Sequence, residues 1–249
     1  MGVAEAALHA HAHHWHPLCT AEDGPPRVCT RGPKLNVNCS LPARAFDKRV
    51  GVTKNGAWSL DEMQTYVIDR GLVSGLVRFF GREKSTVVEF GAGIGCYSDA
   101  LRLRGVPSFA FEGAANVVQL TRGSVRLADL TMPNLDVGVH AGWVLCLEVA
   151  EHIPKQHEAT FLRNLDRHNS IGIVMSWSST RSGVGDVNYQ YARHVTAVMR
   201  NMSYVEDLAA GRELRAAVTT RRWFISTSNR HGVGGGVRVW RRASGAVSA

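Results

Sequence analysis

The stretch Glu148-Val149-Ala150-Glu151-His152 sets two carboxylates and an imidazole within five residues, ahead of Ile153-Pro154. Oxygen and nitrogen donors in this mixture suit a divalent ion such as magnesium or manganese. An ion held by Glu148, Glu151 and His152 would lower the pKa of a substrate hydroxyl and orient its oxygen. Without an ion, His152 is the candidate general base near neutral pH, with Glu151 beside it as a second catalytic candidate. A purely structural use is also open, in which His152 and Pro154 shape the loop and Glu151 caps the next helix.

A second set of residues has the chemistry of a cofactor cradle. Val87-Val88-Glu89-Phe90 is a short apolar run ending near a carboxylate, and Gly91-Ala92-Gly93-Ile94-Gly95 follows it. Such a strand, loop and helix lets backbone approach a ligand closely. Acids recur at the ends of the next apolar runs: Glu112, Asp129 and Glu148. In an open parallel sheet the ligand lies beyond these strand ends, so acids in register there are chemically usable. A dinucleotide fingerprint would need glycine at position 96, where the chain has Cys96, so a nicotinamide cofactor is disfavoured.

These residues need elements to carry them. The apolar runs predict strands at 86–90, 108–111, 125–127, 143–147, 171–175, near 204 and at 236–240. Helices are expected at 97–104, 156–165 and 192–202, with a short one after the second strand. Ser59-x-x-Glu62 reads as a capping box for helical spacing through Met63, Val67, Leu72, Leu76, Phe79 and Phe80, although Gly71 and Gly75 argue against a single rod. This segment could cover the cofactor mouth or pack on the sheet.

The glycine spacing G-x-G-x-G, with Glu89 two residues ahead of Gly91, resembles the class I S-adenosylmethionine-dependent methyltransferases over about Gly56 to Arg242. The resemblance implies an α/β Rossmann-like fold, a seven-stranded, mostly parallel sheet with an antiparallel last strand and helices on both faces. It implies S-adenosylmethionine as cofactor, with Glu89 orienting its amino group, Gly91 and Gly93 admitting its methionine part, Glu112 at the ribose and Asp129 at the adenine. Ala92, Gly95, Tyr97, Gly113, Leu130 and Glu148 complete the implied cofactor set. The E-x-x-E-H string is similar to one in metal-dependent methyltransferases of the ubiquinone-pathway and small-RNA ribose 2′-O types. Related strings also occur in class I enzymes without metal. The segment from Trp143 to Asn188 most resembles methyltransferase-like proteins of unassigned substrate. It departs from them at Asp186, where a His is usual before Val-Asn, and at Gly142, where an Asp is common.

Together these features point to transfer of a methyl group to an oxygen of a small molecule, in line with the donor. An RNA ribose 2′-O-methyltransferase is the alternative enzyme, and a catalytically inactive cofactor- or partner-binding protein is the alternative of another class. The formal net charge of +8 favours anionic partners. Arg221, Arg222, Arg230, Arg238, Arg241 and Arg242 supply a basic end, which a solvated surface also explains.

The 249 residues hold 45% hydrophobic side chains, enough for one large α/β domain. We expect it at 51–242, after a flexible His- and Pro-containing extension over 1–50 and before a short tail at 243–249. Histidines 9, 11, 13, 14 and 16 and Cys19, Cys29 and Cys39 in the extension lack a zinc-site spacing. Five cysteines argue against a disulfide framework and for a reducing, cytoplasmic setting. No run reaches the roughly 18 to 20 apolar residues of a membrane span.

Overall fold

A computed structural model describes residues 52–58, 60, 68–180, 185–219 and 236–243. The His- and Pro-containing extension, the Ser59 capping box with Glu62, Met63 and Val67, and Arg221, Arg222 and Arg230 lie outside the described residues.

The elements are α1 (Arg70–Glu83), β1 (Val87–Phe90), α2 (Cys96–Arg102), β2 (Ser108–Glu112), α3 (Val117–Leu120), β3 (Arg126–Leu127), β4 (Ala141–Cys146), α4 (Glu158–Arg167), β5 (Asn169–Met175), α5 (Ala192–Asn201), β6 (Tyr204–Glu206), α6 (Leu208–Ala217) and β7 (Arg238–Arg242). A 3₁₀ turn at Lys155–His157 leads into α4. The strands form a seven-stranded sheet in the order β3-β2-β1-β4-β5-β7-β6. β1 lies between β2 and β4, parallel to both, with Val87 opposite Ser108 on one side and Trp143 on the other. β7 is antiparallel to its neighbours β5 and β6. The strand order reverses at β1 and β4, which puts the switch point of the sheet beside the glycine loop.

Alternate strand residues enter opposite faces. Val87, Trp143, Leu145, Val174 and Val239 pack with α1, α2 and α6, whereas Val88, Phe90, Val144, Cys146, Ile173 and Met175 pack with α4 and α5. Helices therefore cover both faces. Gly142 lies within β4 at a register irregularity, where an added Cβ would sit 1.7 Å from Ser85 Oγ.

One element, α6, departs from the expectation, and α1 is the described part of the helical segment expected ahead of β1. α1 starts at Arg70, capped by Asp69, whose carboxylate accepts the N–H of Leu72 at 2.7 Å. α6 is an additional helix; its alanines and Gly211 gave little periodic signal, and Asp207 caps it by accepting from Ala210 N. Gly71 belongs to one continuous α1 and is needed for packing, because a Cβ there would lie 1.7 Å from the carbonyl oxygen of Ala217 in α6.

The three late arginines among the described residues are engaged in ion pairs. Arg238 pairs with Glu206, Arg241 bridges Glu83 and Asp207, and Arg242 pairs with Asp166. Arg241 also lies over the ring of the fully buried Trp143, 5.0 Å from its centroid. Cys96 is buried at the start of α2, and Cys146 is a buried free thiol; Cys19, Cys29 and Cys39 lie outside the described residues. No helix among the described residues is long and apolar enough to cross a membrane.

Asp69 ties three helices together. Its carboxylate caps α1 and accepts the N–H of Thr219 after α6, while its own N–H donates to the hydroxyl of Tyr97 in α2. Asp69→Ala is expected to lower the unfolding free energy by about 2 to 4 kcal/mol, because it removes a cap and strands buried donors. Urea denaturation checks this: the midpoint should fall while the slope stays constant.

Candidate functional site

β1 carries Glu89 into the space beneath the glycine loop. The side chain is 4% exposed, and its Oε2 accepts from the N–H and hydroxyl of Ser98 in α2, at 2.9 and 2.5 Å. Ser98 in turn contacts Ser108 Oγ at 2.8 Å. The serine was not singled out from sequence, where an isolated hydroxyl in a first helical turn carries little information. Burial lifts the Glu89 carboxyl to about 7 against these two bonds, which pull it down.

The loop leaves β1 through Gly91, which has φ +71°, and a Cβ there would meet Val149 Cγ2 at 2.1 Å. Only glycine fits both the left-handed backbone and the close approach. Ala92 donates its N–H to Phe111 O at 3.0 Å, and Gly95 caps α2 with φ +87°. Tyr97 lies deeper: it is buried, its hydroxyl accepts from Asp69, and burial pushes its phenol pKa up.

At the end of β2, Glu112 accepts three backbone N–H groups. Gly93 donates to Oε2 at 2.9 Å, and Gly113 and Ala114 donate to Oε1 at 2.7 and 3.1 Å. Burial raises this carboxyl as well, opposed by the three bonds. A carboxylate has about four acceptor sites, so by this count one on Oε2 remains. Past β3, Asp129 Oδ1 accepts from Thr131 N and Oγ1 at 2.8 and 2.7 Å, and Oδ2 accepts from Asn55 Nδ2 at 2.7 Å. Leu130 is buried, and its carbonyl accepts from Asn164.

The turn after β4 holds the second constellation. Glu148 has φ +55°, a strained backbone for a non-glycine residue. Its N–H donates to Ser176 Oγ at 2.8 Å, and that hydroxyl donates back to Glu148 Oε1 at 2.6 Å. Burial raises Glu148 to about 7, with the Asp186 carboxylate adding to the rise. Glu151 is buried and pushed well above the usual carboxylate range, first by burial and then by Glu148. His152 is held below its ordinary value by burial, against the opposing pull of Gly185 and Asp186.

The expected ligand trio changes by one member. Among the described residues, the donor atoms that gather within 4.8 Å of one another belong to Glu151, His152 and Asp186; Glu148 is not in the group and turns to Ser176 instead. His152 Nδ1 lies 3.8 Å from Asp186 Oδ1. Glu151 Oε2 and His152 Nδ1 are both buried without a hydrogen-bond partner. Two orphaned acceptor-capable atoms, one carboxylate oxygen and one imidazole nitrogen, beside a second carboxylate, that of Asp186, form a donor set that could hold a divalent cation.

Asp186 is brought there by a braced loop. Val187 and Asn188 donate their N–H groups to Glu151 O, both at 2.9 Å. Asn188 also donates its side-chain amide to Glu158 Oε2 at 2.9 Å and accepts at its carbonyl from Trp177 Nε1 at 2.6 Å. Glu158 is further held by Lys155 and His194, which with Asn188 keep its carboxyl below the usual range despite burial.

No family model matches the chain, and no curated protein matches it in sequence. Similarity appears among solved structures. A magnesium protoporphyrin IX methyltransferase from Synechocystis, with S-adenosylhomocysteine bound, is 12% identical, with 69% of this chain and 82% of that chain covered and a TM-score of 0.50. An amino pentose methyltransferase from Micromonospora echinaspora, with S-adenosylmethionine bound, is 15% identical over 69% of this chain and 90% of that one, at a TM-score of 0.49. The fold is that of the class I S-adenosylmethionine-dependent methyltransferases.

The buried acids make stability depend on pH with a defined sign. Between the unfolded carboxylate value and about 7, folded Glu89 keeps a proton that the unfolded chain releases. Its contribution is therefore complete below the unfolded pKa and is lost as pH rises through about 7. Glu89→Gln, which cannot ionise, should flatten the fall in stability between about pH 5 and about pH 8. Urea midpoints at the two ends check this, and a slope identical to wild type would reject Glu89 as a source.

Proposed function

We propose that this protein, through its domain at 51–242, is an S-adenosylmethionine-dependent methyltransferase acting on an oxygen of a small molecule. The observation that carries this reading is the arrangement of Glu89, Glu112 and Asp129 at the ends of neighbouring strands around one glycine loop, facing the Glu151, His152 and Asp186 group. The fold alone is an analogy; the placement of the acids gives the analogy a chemical content.

In this reading Glu89 orients the cofactor's amino group and Glu112 accepts a single ribose hydroxyl at its remaining Oε2 site. Asp129 accepts an adenine amino hydrogen. Glu148 and the backbone of Gly91 to Gly95, Gly113 and Leu130 border the cofactor, whereas Tyr97 supports α2 from below. The sulfonium donor is already activated, so holding donor and acceptor in line supplies roughly 7 to 11 kcal/mol. His152, kept neutral by burial, accepts the proton of the acceptor hydroxyl in the metal-free protein.

Glu151, His152 and Asp186 are the residues that would hold magnesium or manganese. Such an ion supplies Lewis-acid lowering of a hydroxyl pKa. The chain's own contribution is the braced loop that keeps Asp186 beside His152. For an RNA acceptor, Arg238, Arg241 and Arg242 offer less than their charge suggests, since each is engaged in ion pairs with acids of this chain.

Two measurements test this. In calorimetry, wild type should bind S-adenosylhomocysteine, and Glu112→Gln should bind it about tenfold more weakly, the size expected for a weakened charged hydrogen bond. In a methyl-transfer assay against small hydroxylated acceptors, magnesium should stimulate wild type, and Glu151→Ala combined with Asp186→Ala should abolish the stimulation. Activity indifferent to a chelator would reject the metal role and leave His152 as base.

A further inference from the structure

The contact on Asp129 comes from a segment that no strand or helix of the sheet supplies. Val52-Thr53-Lys54-Asn55-Gly56-Ala57-Trp58 contains Asn-Gly, a strong tight-turn signal. It folds as a small hairpin, with Val52 bridged antiparallel to Trp58, Thr53 N–H donating to Ala57 O at 2.8 Å and Gly56 N–H donating to Thr53 O at 2.9 Å.

This hairpin lies across both halves of the site. Its Asn55 reaches Asp129, 74 positions away. Ala57 Cβ packs against Gly113, where an added Cβ would lie 3.1 Å from it. Gly56 abuts the carbonyl oxygen of His152, which an added Cβ would approach to 2.4 Å. The Trp58 ring meets the His152 ring edge to face at 5.2 Å, and Val52 packs on Gly185. The sequence reading looked for a cover in the helical segment after Ser59, but the strap that the structure describes precedes it.

Asn55 is oriented on both sides of its amide. Thr53 Oγ1 donates to Asn55 Oδ1, which leaves Nδ2 pointed at Asp129. Thr131 holds the other oxygen of Asp129. The carboxylate is thus clamped from two directions, with Oδ2 keeping one acceptor site by the four-site count. A donor approaching that site meets a carboxylate of fixed rotation, and an adenine amino group is such a donor.

We infer that residues 52–58 are part of the cofactor site, and that Asn55 is a positioning residue that selects the adenine amino edge by fixing Asp129. The inference rests on the methyltransferase reading. Without Asn55, Asp129 is free to turn, and the advantage of a nucleoside that donates at this edge over one that accepts there shrinks.

The test compares S-adenosylhomocysteine with S-inosylhomocysteine, whose oxo group replaces the amino donor, by calorimetry on the full chain. Wild type should prefer the adenosyl compound. Asn55→Ala should bind it about five- to tenfold more weakly, the effect of one lost hydrogen bond, and its preference over the inosyl compound should fall by a similar factor. Asn55→Asp, equal in shape but with a like charge facing Asp129, should lose at least as much of the preference. Equal losses for both compounds, which a merely structural strap would give, overturn the assignment, as does a wild type without preference. A wild type that binds neither compound overturns the methyltransferase reading itself, so the two failures are separable.

Discussion

The carboxylate of Glu112 is the interaction on which the geometry of the site depends. Buried acids are costly unless their charge is met by donors, and here the donors are three backbone N–H groups instead of a cation. Two of them come from the turn that follows β2, and the third from Gly93 in the loop that follows β1. One side chain therefore joins the ends of two neighbouring strands. The joined loops then locate further groups: Gly91 sets Val149 and the turn after β4, and Gly113 receives Ala57 from the hairpin.

The other half of the site is organised by backbone bracing. Glu151 contributes its carbonyl to the loop after β5 and keeps its carboxylate for the cluster with His152 and Asp186. That division explains why one residue serves both support and chemistry. Of the buried side-chain atoms left without hydrogen bonds among the described residues, Glu151 Oε2 and His152 Nδ1 belong to this cluster, while Asn164 Oδ1 and the indole nitrogens of Trp143 and Trp240 lie elsewhere; His152 Nδ1 lies 3.8 Å from Asp186 Oδ1. Buried polar atoms without partners are few in folded proteins, and a bound ion is one way in which such atoms are satisfied. The positive φ of Glu148 belongs to the same turn, so strain and unsatisfied polarity occur together at the end of β4.

Much of the sheet was legible because parallel strands buried on both faces read as short continuous apolar runs. Glu89, Glu112, Asp129 and Glu148 stood out because each follows such a run. α6 was not legible, since its packing signal is divided between its own small residues and Gly71 of α1, more than a hundred positions away. The described part of the basic end was illegible for a related reason. Composition counts Arg238, Arg241 and Arg242 as charge, whereas Glu206, Glu83, Asp207 and Asp166 meet them only in the folded chain.

By itself the sequence determined the alternation of strands and helices, the glycine loop and the acids at strand ends, because these follow from periodicity and backbone preference over a few residues. Tertiary structure decided which acids meet. It turned Glu148 toward Ser176, brought Asp186 to His152, and laid Asn55 on Asp129. Those pairings join residues 28, 34 and 74 positions apart. They are set by the register of parallel strands and the packing of loops at the carboxyl ends of those strands, which local sequence pattern does not encode.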